Sequence, residues 1–85
     1  MARAFREGAF EFSINPLEAE YEPPHVHVWF ANSDEDARIN LISSTWLEPP
    51  PPDATKAMRI FKRRRAEIVA LWNKFHANRL VQDAN

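Results

Sequence analysis

The chain has 85 residues with 45% hydrophobic content, enough for one domain with a thin core and too apolar for wholesale disorder. It has no cysteine and one glycine, which excludes disulfides, thiolate metal sites, a cysteine nucleophile and a Gly-rich phosphate loop. The net charge of −1 conceals a division: residues 1–52 hold three basic and nine acidic residues (−6), residues 53–85 eight basic and three acidic (+5).

The first residues, Met1-Ala2-Arg3-Ala4-Phe5-Arg6-Glu7, lack the apolar region of a signal peptide. No stretch reaches the ~18 apolar residues of a membrane helix, so a soluble, cytoplasmic domain without membrane contact is expected. Phe10, Phe12 and Ile14 alternate with Glu11 and Ser13, the period-two pattern of a half-buried strand over about 9–14. Asn15-Pro16 ends it, and an acidic loop leads to Pro23-Pro24, which can stand only at a strand start or edge. A second strand over about 25–31 puts Val26, Val28 and Phe30 on one face and His25, His27 and Trp29 on the other. After a polar turn, Ala37, Ile39 and Leu41 alternate with Arg38 and Asn40 in a third strand over about 37–42, and residues 45–47 offer a fourth.

Pro49 to Pro52 form a stiff link. With Asp53 as a fair N-cap and Thr55 a poorer one, a helix is predicted over about 54–78. Met58, Phe61, Arg65, Ile68, Trp72 and Phe75 recur at spacings of three and four, widened by Ala57, Val69 and Leu71. An unbroken helix of ~25 residues would be about 37 Å long against strands of roughly 20 Å, so it overhangs the sheet or breaks near residues 63–66. The expected fold is α+β: a single domain with a small antiparallel sheet of three to four strands packed by this C-terminal helix.

The order Phe10-x-Phe12, Pro23-Pro24-His25-Val26-His27-Val28, a strand with Ala37, and a helix carrying Ile68-x-x-x-Trp72 resembles the prokaryotic domain-of-unknown-function family 4160 over residues 8–76. The resemblance implies an aromatic strand, a Pro-Pro-His strand and a closing helix. It also implies a gene neighbour of another small family, in pairs described as toxin–antitoxin modules. The chain departs from the pattern in the longer acidic loop Leu17-Glu18-Ala19-Glu20-Tyr21-Glu22, in an arginine run where the helix usually has one polar residue, and in the proline run.

Three groups of residues could carry chemistry. His25 and His27 project from one strand face about 6–7 Å apart, close enough to converge on Zn²⁺ with Zn–N near 2.0–2.1 Å. His76, the remaining histidine, would complete a three-His site. The same pair, with Glu20 or Glu22, could act as general acid and base in RNA cleavage, although no nucleophile or oxyanion element stands out. The structural alternative is hydrogen bonding at a sheet edge. Arg59 with Lys62, Arg63, Arg64 and Arg65, and Lys56 a turn earlier, form a basic helix surface suited to phosphate contacts or simply to solvation. Trp29 shares the histidine face, which one helix cannot cover together with the opposite face, so His25, His27 and Trp29 form a candidate partner surface. The expected function is therefore a non-enzymatic module of a bacterial or phage two-protein system that binds a protein partner, with homodimerisation a further option. The alternatives are a small RNase-like toxin using His25 and His27, and a phage inhibitor of a nucleic-acid-binding machine.

Overall fold

The computed structural model of the protein describes residues 1–17 and 22–82. Among these residues five strands form one antiparallel meander, β1 (Ala2–Glu7), β2 (Phe10–Ile14), β3 (His25–Phe30), β4 (Glu35–Asn40) and β5 (Thr45–Trp46), in that order across the sheet. Two helices follow, α1 (Ala54–Arg63) and α2 (Arg65–Phe75). The α+β class is as expected, with one more strand than the alternation pattern suggests. Among the described residues no helix is long and apolar enough to cross a membrane.

The additional strand is β1, and its hairpin explains it. Glu7 pairs with Phe10 across the two-residue turn Gly8-Ala9, and Gly8 has φ 60° while Ala9 does not enter the positive-φ region. A glycine at the first central position is what a type II′ hairpin turn requires, and its twist matches that of the flanking strands. Space over Gly8 is open, so the positive φ alone makes the position costly to substitute. Gly8→Ala is expected to lower stability by about 1–2 kcal/mol, read as a shift in the urea midpoint with unchanged slope.

A bulge between Arg3 and Phe5 breaks the β1–β2 register. Phe5 lies opposite Phe12 and turns inward, whereas Arg3 lies opposite Ser13 and turns outward. Phe10 then faces Phe30, Phe12 faces Val28, Val28 faces Ala37 and Val26 faces Ile39, which collects the apolar side chains on one face. Both helices cover that face through Ala57, Phe61, Ile68, Val69 and Trp72.

The helical segment resolves the length problem by breaking at Arg64, which has φ −114° and ψ 26°. The Arg64 side chain lies over the Phe5 ring at 3.7 Å, and its guanidinium bonds Glu67 at 2.7 Å and Glu7 at 3.0 Å. Each short helix can then bury its own apolar stripe, which one straight rod could not do against so small a sheet. Three details differ from expectation. Asp53 adopts a left-handed conformation with φ 75° and gives no side-chain cap; only its carbonyl receives the first helical amides. Helix α2 stops at Phe75, which is 38% exposed and off the buried stripe. Residues 76–82 turn back instead: Asn73 exchanges two hydrogen bonds with the Val81 backbone, the Trp72 indole donates to the Arg79 carbonyl at 2.8 Å, and Arg65 donates to the Gln82 carbonyl at 3.1 Å.

Candidate functional site

The face of the sheet opposite the helices carries cross-strand rows set by the register. Arg3, Ser13, His27 and Arg38 form one row; Arg6, Glu11, Trp29 and Asp36 form the next. Such neighbours lie within contact distance, so the rows are interaction units. The Arg6 guanidinium sits 5.8 Å from the Trp29 ring centroid, and Arg3 pairs with Glu11 at 3.3 Å. Arg38 anchors the middle: its guanidinium bonds Glu22 at 2.9 Å and Glu48 at 3.1 Å, while Glu48 also accepts from the Arg38 amide at 2.6 Å. Hydrogen bonding to Glu22 is the largest influence raising the Arg38 pKa, opposed by partial burial and reinforced by Glu48.

The structure divides the predicted histidine face. His27 and Trp29 are half-buried on the helix-free side, but His25 is only 1% exposed. Its Nδ1–H donates to the Pro23 carbonyl at 2.7 Å, and its ring meets His27 edge-on at 5.0 Å and Trp72 at 6.2 Å. His25 is thus a wedge at the end of the sheet between the open face and the helical layer. As a solvent-facing acid or base it is badly placed, because burial separates it from a macromolecular substrate. Glu22 is engaged by Arg38, and Glu20 lies outside the described residues.

The three histidines do not converge. His76 stacks on Trp72 at 3.8 Å and its Nε2–H donates to the Asn15 carbonyl at 2.9 Å, so the indole stands between His76 and His25. Among the described residues, no group of three or more His, Asp or Glu side chains is positioned to hold a metal ion. The expected His25, His27 and His76 zinc site is therefore not brought together, and one nitrogen each of His25 and His76 is engaged by a backbone carbonyl.

The basic run is also divided. Arg63 and Arg64 both bond Glu7, and Arg64 further pairs with Glu67. Arg65 is half-buried and turned toward the C-terminal segment, with one guanidinium nitrogen lacking a hydrogen-bond partner among the described residues. Lys56, Arg59 and Lys62 are exposed and make no ion pair among the described residues. Of the five predicted nucleic-acid residues, Arg59 and Lys62 alone are exposed without an ion pair or side-chain hydrogen bond among the described residues.

Arg64 holds the carboxyls of both Glu7 and Glu67 below their ordinary value of 4.5, chiefly by hydrogen bonding. A carboxyl depressed in the folded state contributes stability that is present above its unfolded pKa and lost as pH falls through its folded value. Wild-type stability is expected to decline below about pH 4.5 partly for this reason, and Glu7→Gln to show a flatter decline over that window in urea titrations at stepped pH.

Two features of this face escaped the sequence reading. Arg6 reaches it only because β1 exists, and the Gly8-Ala9 step between two alternating runs is the signal that could have revealed that strand. Arg38 shares the histidine face by alternation, yet nothing local marks Glu22 and Glu48 as its partners, 16 and 10 residues away. No family model matches the chain, nor does any curated protein or any solved structure.

Proposed function

We propose that this chain is a protein-binding module, one half of a small bacterial or phage two-protein system, and that the helix-free face of the sheet is its docking surface. The observation that carries this reading is Trp29: a large aromatic half-buried on the side without helices, flanked by Arg6, Glu11 and Asp36. Tryptophan and arginine dominate the binding energy of protein interfaces, and an aromatic centre with a charged rim is the usual arrangement. The resemblance of the Pro-Pro-His-Val-His-Val segment to a family with paired genes is a second support.

The partner to test is the product of the adjacent gene, purified and titrated calorimetrically. Trp29→Ala is expected to weaken binding about 30-fold or more while leaving the melting temperature within a few degrees of wild type. His27→Ala should have a smaller effect of the same sign. Unchanged affinity in a folded Trp29→Ala variant would defeat this reading. Cleavage of RNA by the wild type that is abolished in His27→Ala would replace it with the ribonuclease alternative.

A further inference from the structure

On the helical side a groove of about 480 Å³ runs between α1 and the β1–β2 turn. Its lining is apolar at Phe10 and Ile60 and cationic at Lys56, Arg59 and Arg63, with the one carboxylate, Glu7, held by Arg63 and Arg64. Phe10 also borders a smaller cavity of about 230 Å³ beside the start of α1, so the two are adjacent at this residue. That cavity is walled by Phe10, Phe30 and Pro52 and presents the polar groups of Asn32, Ser33 and Asp53. The two neighbouring compartments thus set a cationic end beside an apolar end with a few polar atoms. Together they fall in the range of small-ligand sites, roughly 300–1,000 Å³.

We propose that this groove binds a nucleotide unit, with the phosphate at Lys56 and Arg59 and the base in the cavity beside Phe10. Positions 56 and 59 are three apart on one helix, so their side chains are neighbours about 5–6 Å apart and can share one phosphate. Neither makes an ion pair among the described residues, whereas Arg63 is already bonded to Glu7 and forms a fixed third corner. Charge also sets the orientation. The Asp53 carboxylate repels phosphate from the small cavity but can accept a hydrogen bond from an exocyclic amine on a base. A bare anion would leave the apolar compartment unused, and a long polyanion would meet Asp53 at one end. One nucleotide satisfies both compartments.

The test uses the full chain with adenosine 5′-monophosphate, adenosine, inorganic phosphate and a short oligoadenylate as probes. Gly8 lines the groove and is the chain's single glycine, so its amide resonance is an isolated reporter in nitrogen–proton spectra. The monophosphate is expected to shift that resonance saturably and to bind at least tenfold more tightly than adenosine or inorganic phosphate. Lys56→Ala and Arg59→Ala should each weaken it about tenfold, the scale of one charge-assisted hydrogen bond. Lys62→Ala removes the same charge from the same helix outside the groove and should change nothing. Ala9→Leu, which narrows the small cavity, should abolish the advantage over inorganic phosphate. Binding of oligoadenylate no tighter than that of the monophosphate upholds the single-nucleotide assignment, and tighter binding, which Asp53 should oppose, would overturn it. Equal affinity for monophosphate and inorganic phosphate, equal effects of Lys62→Ala and Lys56→Ala, or no saturable shift at millimolar monophosphate would each overturn it.

Discussion

Trp72→Ala is expected to cost about 3–5 kcal/mol, the range for removing a fully buried aromatic side chain. Trp72 is 0% exposed, and it joins three parts of the molecule. Its ring lies 6.2 Å from His25 at the sheet end and stacks on His76, while its indole N–H holds the Arg79 carbonyl. Truncation therefore leaves a cavity and also removes one of the ties between residues 76–82 and α2. An 85-residue domain has a total stability of about 4–13 kcal/mol at 0.05–0.15 kcal/mol per residue, so the loss is about a quarter of the whole at the upper end and all of it at the lower. Equilibrium urea denaturation followed by far-UV circular dichroism measures this directly. Trp72→Phe separates the two contributions: it keeps most of the packing, loses the indole bond, and should cost about 1–3 kcal/mol. A loss below about 1 kcal/mol in Trp72→Ala would mean that the helical layer is not secured through this residue.

Phe12→Ala should be comparably damaging, again about 3–5 kcal/mol, through a different part of the core. Phe12 is fully buried in β2, opposite Val28 on one side and Phe5 on the other, and its ring lies 4.8 Å from that of Phe5. Arg64 covers the Phe5 ring in turn, so the aromatic pair lies beneath the break between the helices. A double-mutant cycle on Phe5 and Phe12 is expected to give a coupling of about 0.5–1.5 kcal/mol beyond area burial. Additive single losses would show that the pair is ordinary filling. Phe12→Leu should recover much of the stability, because the site demands volume more than it demands a ring.

Of the candidate residues, those whose role follows from position within one strand were legible. Val26 and Val28 could be assigned to the core and Trp29 to the opposite face because successive residues of a strand alternate, whatever lies elsewhere in the chain. His25 was assigned to the open face by the same rule, and its side chain does begin there. Its ring also lies against Trp72, 47 residues later, and the pattern around His25 contains nothing about that neighbour. The basic run shows the same limit. Lys62 to Arg65 look equivalent as a string, but helix rotation and the break send Arg63 and Arg64 to Glu7, Arg65 to Gln82 and Lys62 to solvent.

Composition and periodicity are enough to set the α+β class, the face of each central strand, the need for the C-terminal helical segment to break or overhang, and the absence of cysteine chemistry. All of these are local: periodicity, propensity and composition act within a few residues. The tertiary structure decided that β1 completes the sheet and lays Arg6 against Trp29. It also decided that His76 turns to Asn15 rather than to a metal, and that α1 faces the Gly8 turn across a groove with Lys56 and Arg59 on its wall. These pairings join residues far apart in the chain, and their partners are chosen by which surfaces must be buried together rather than by any neighbouring residue.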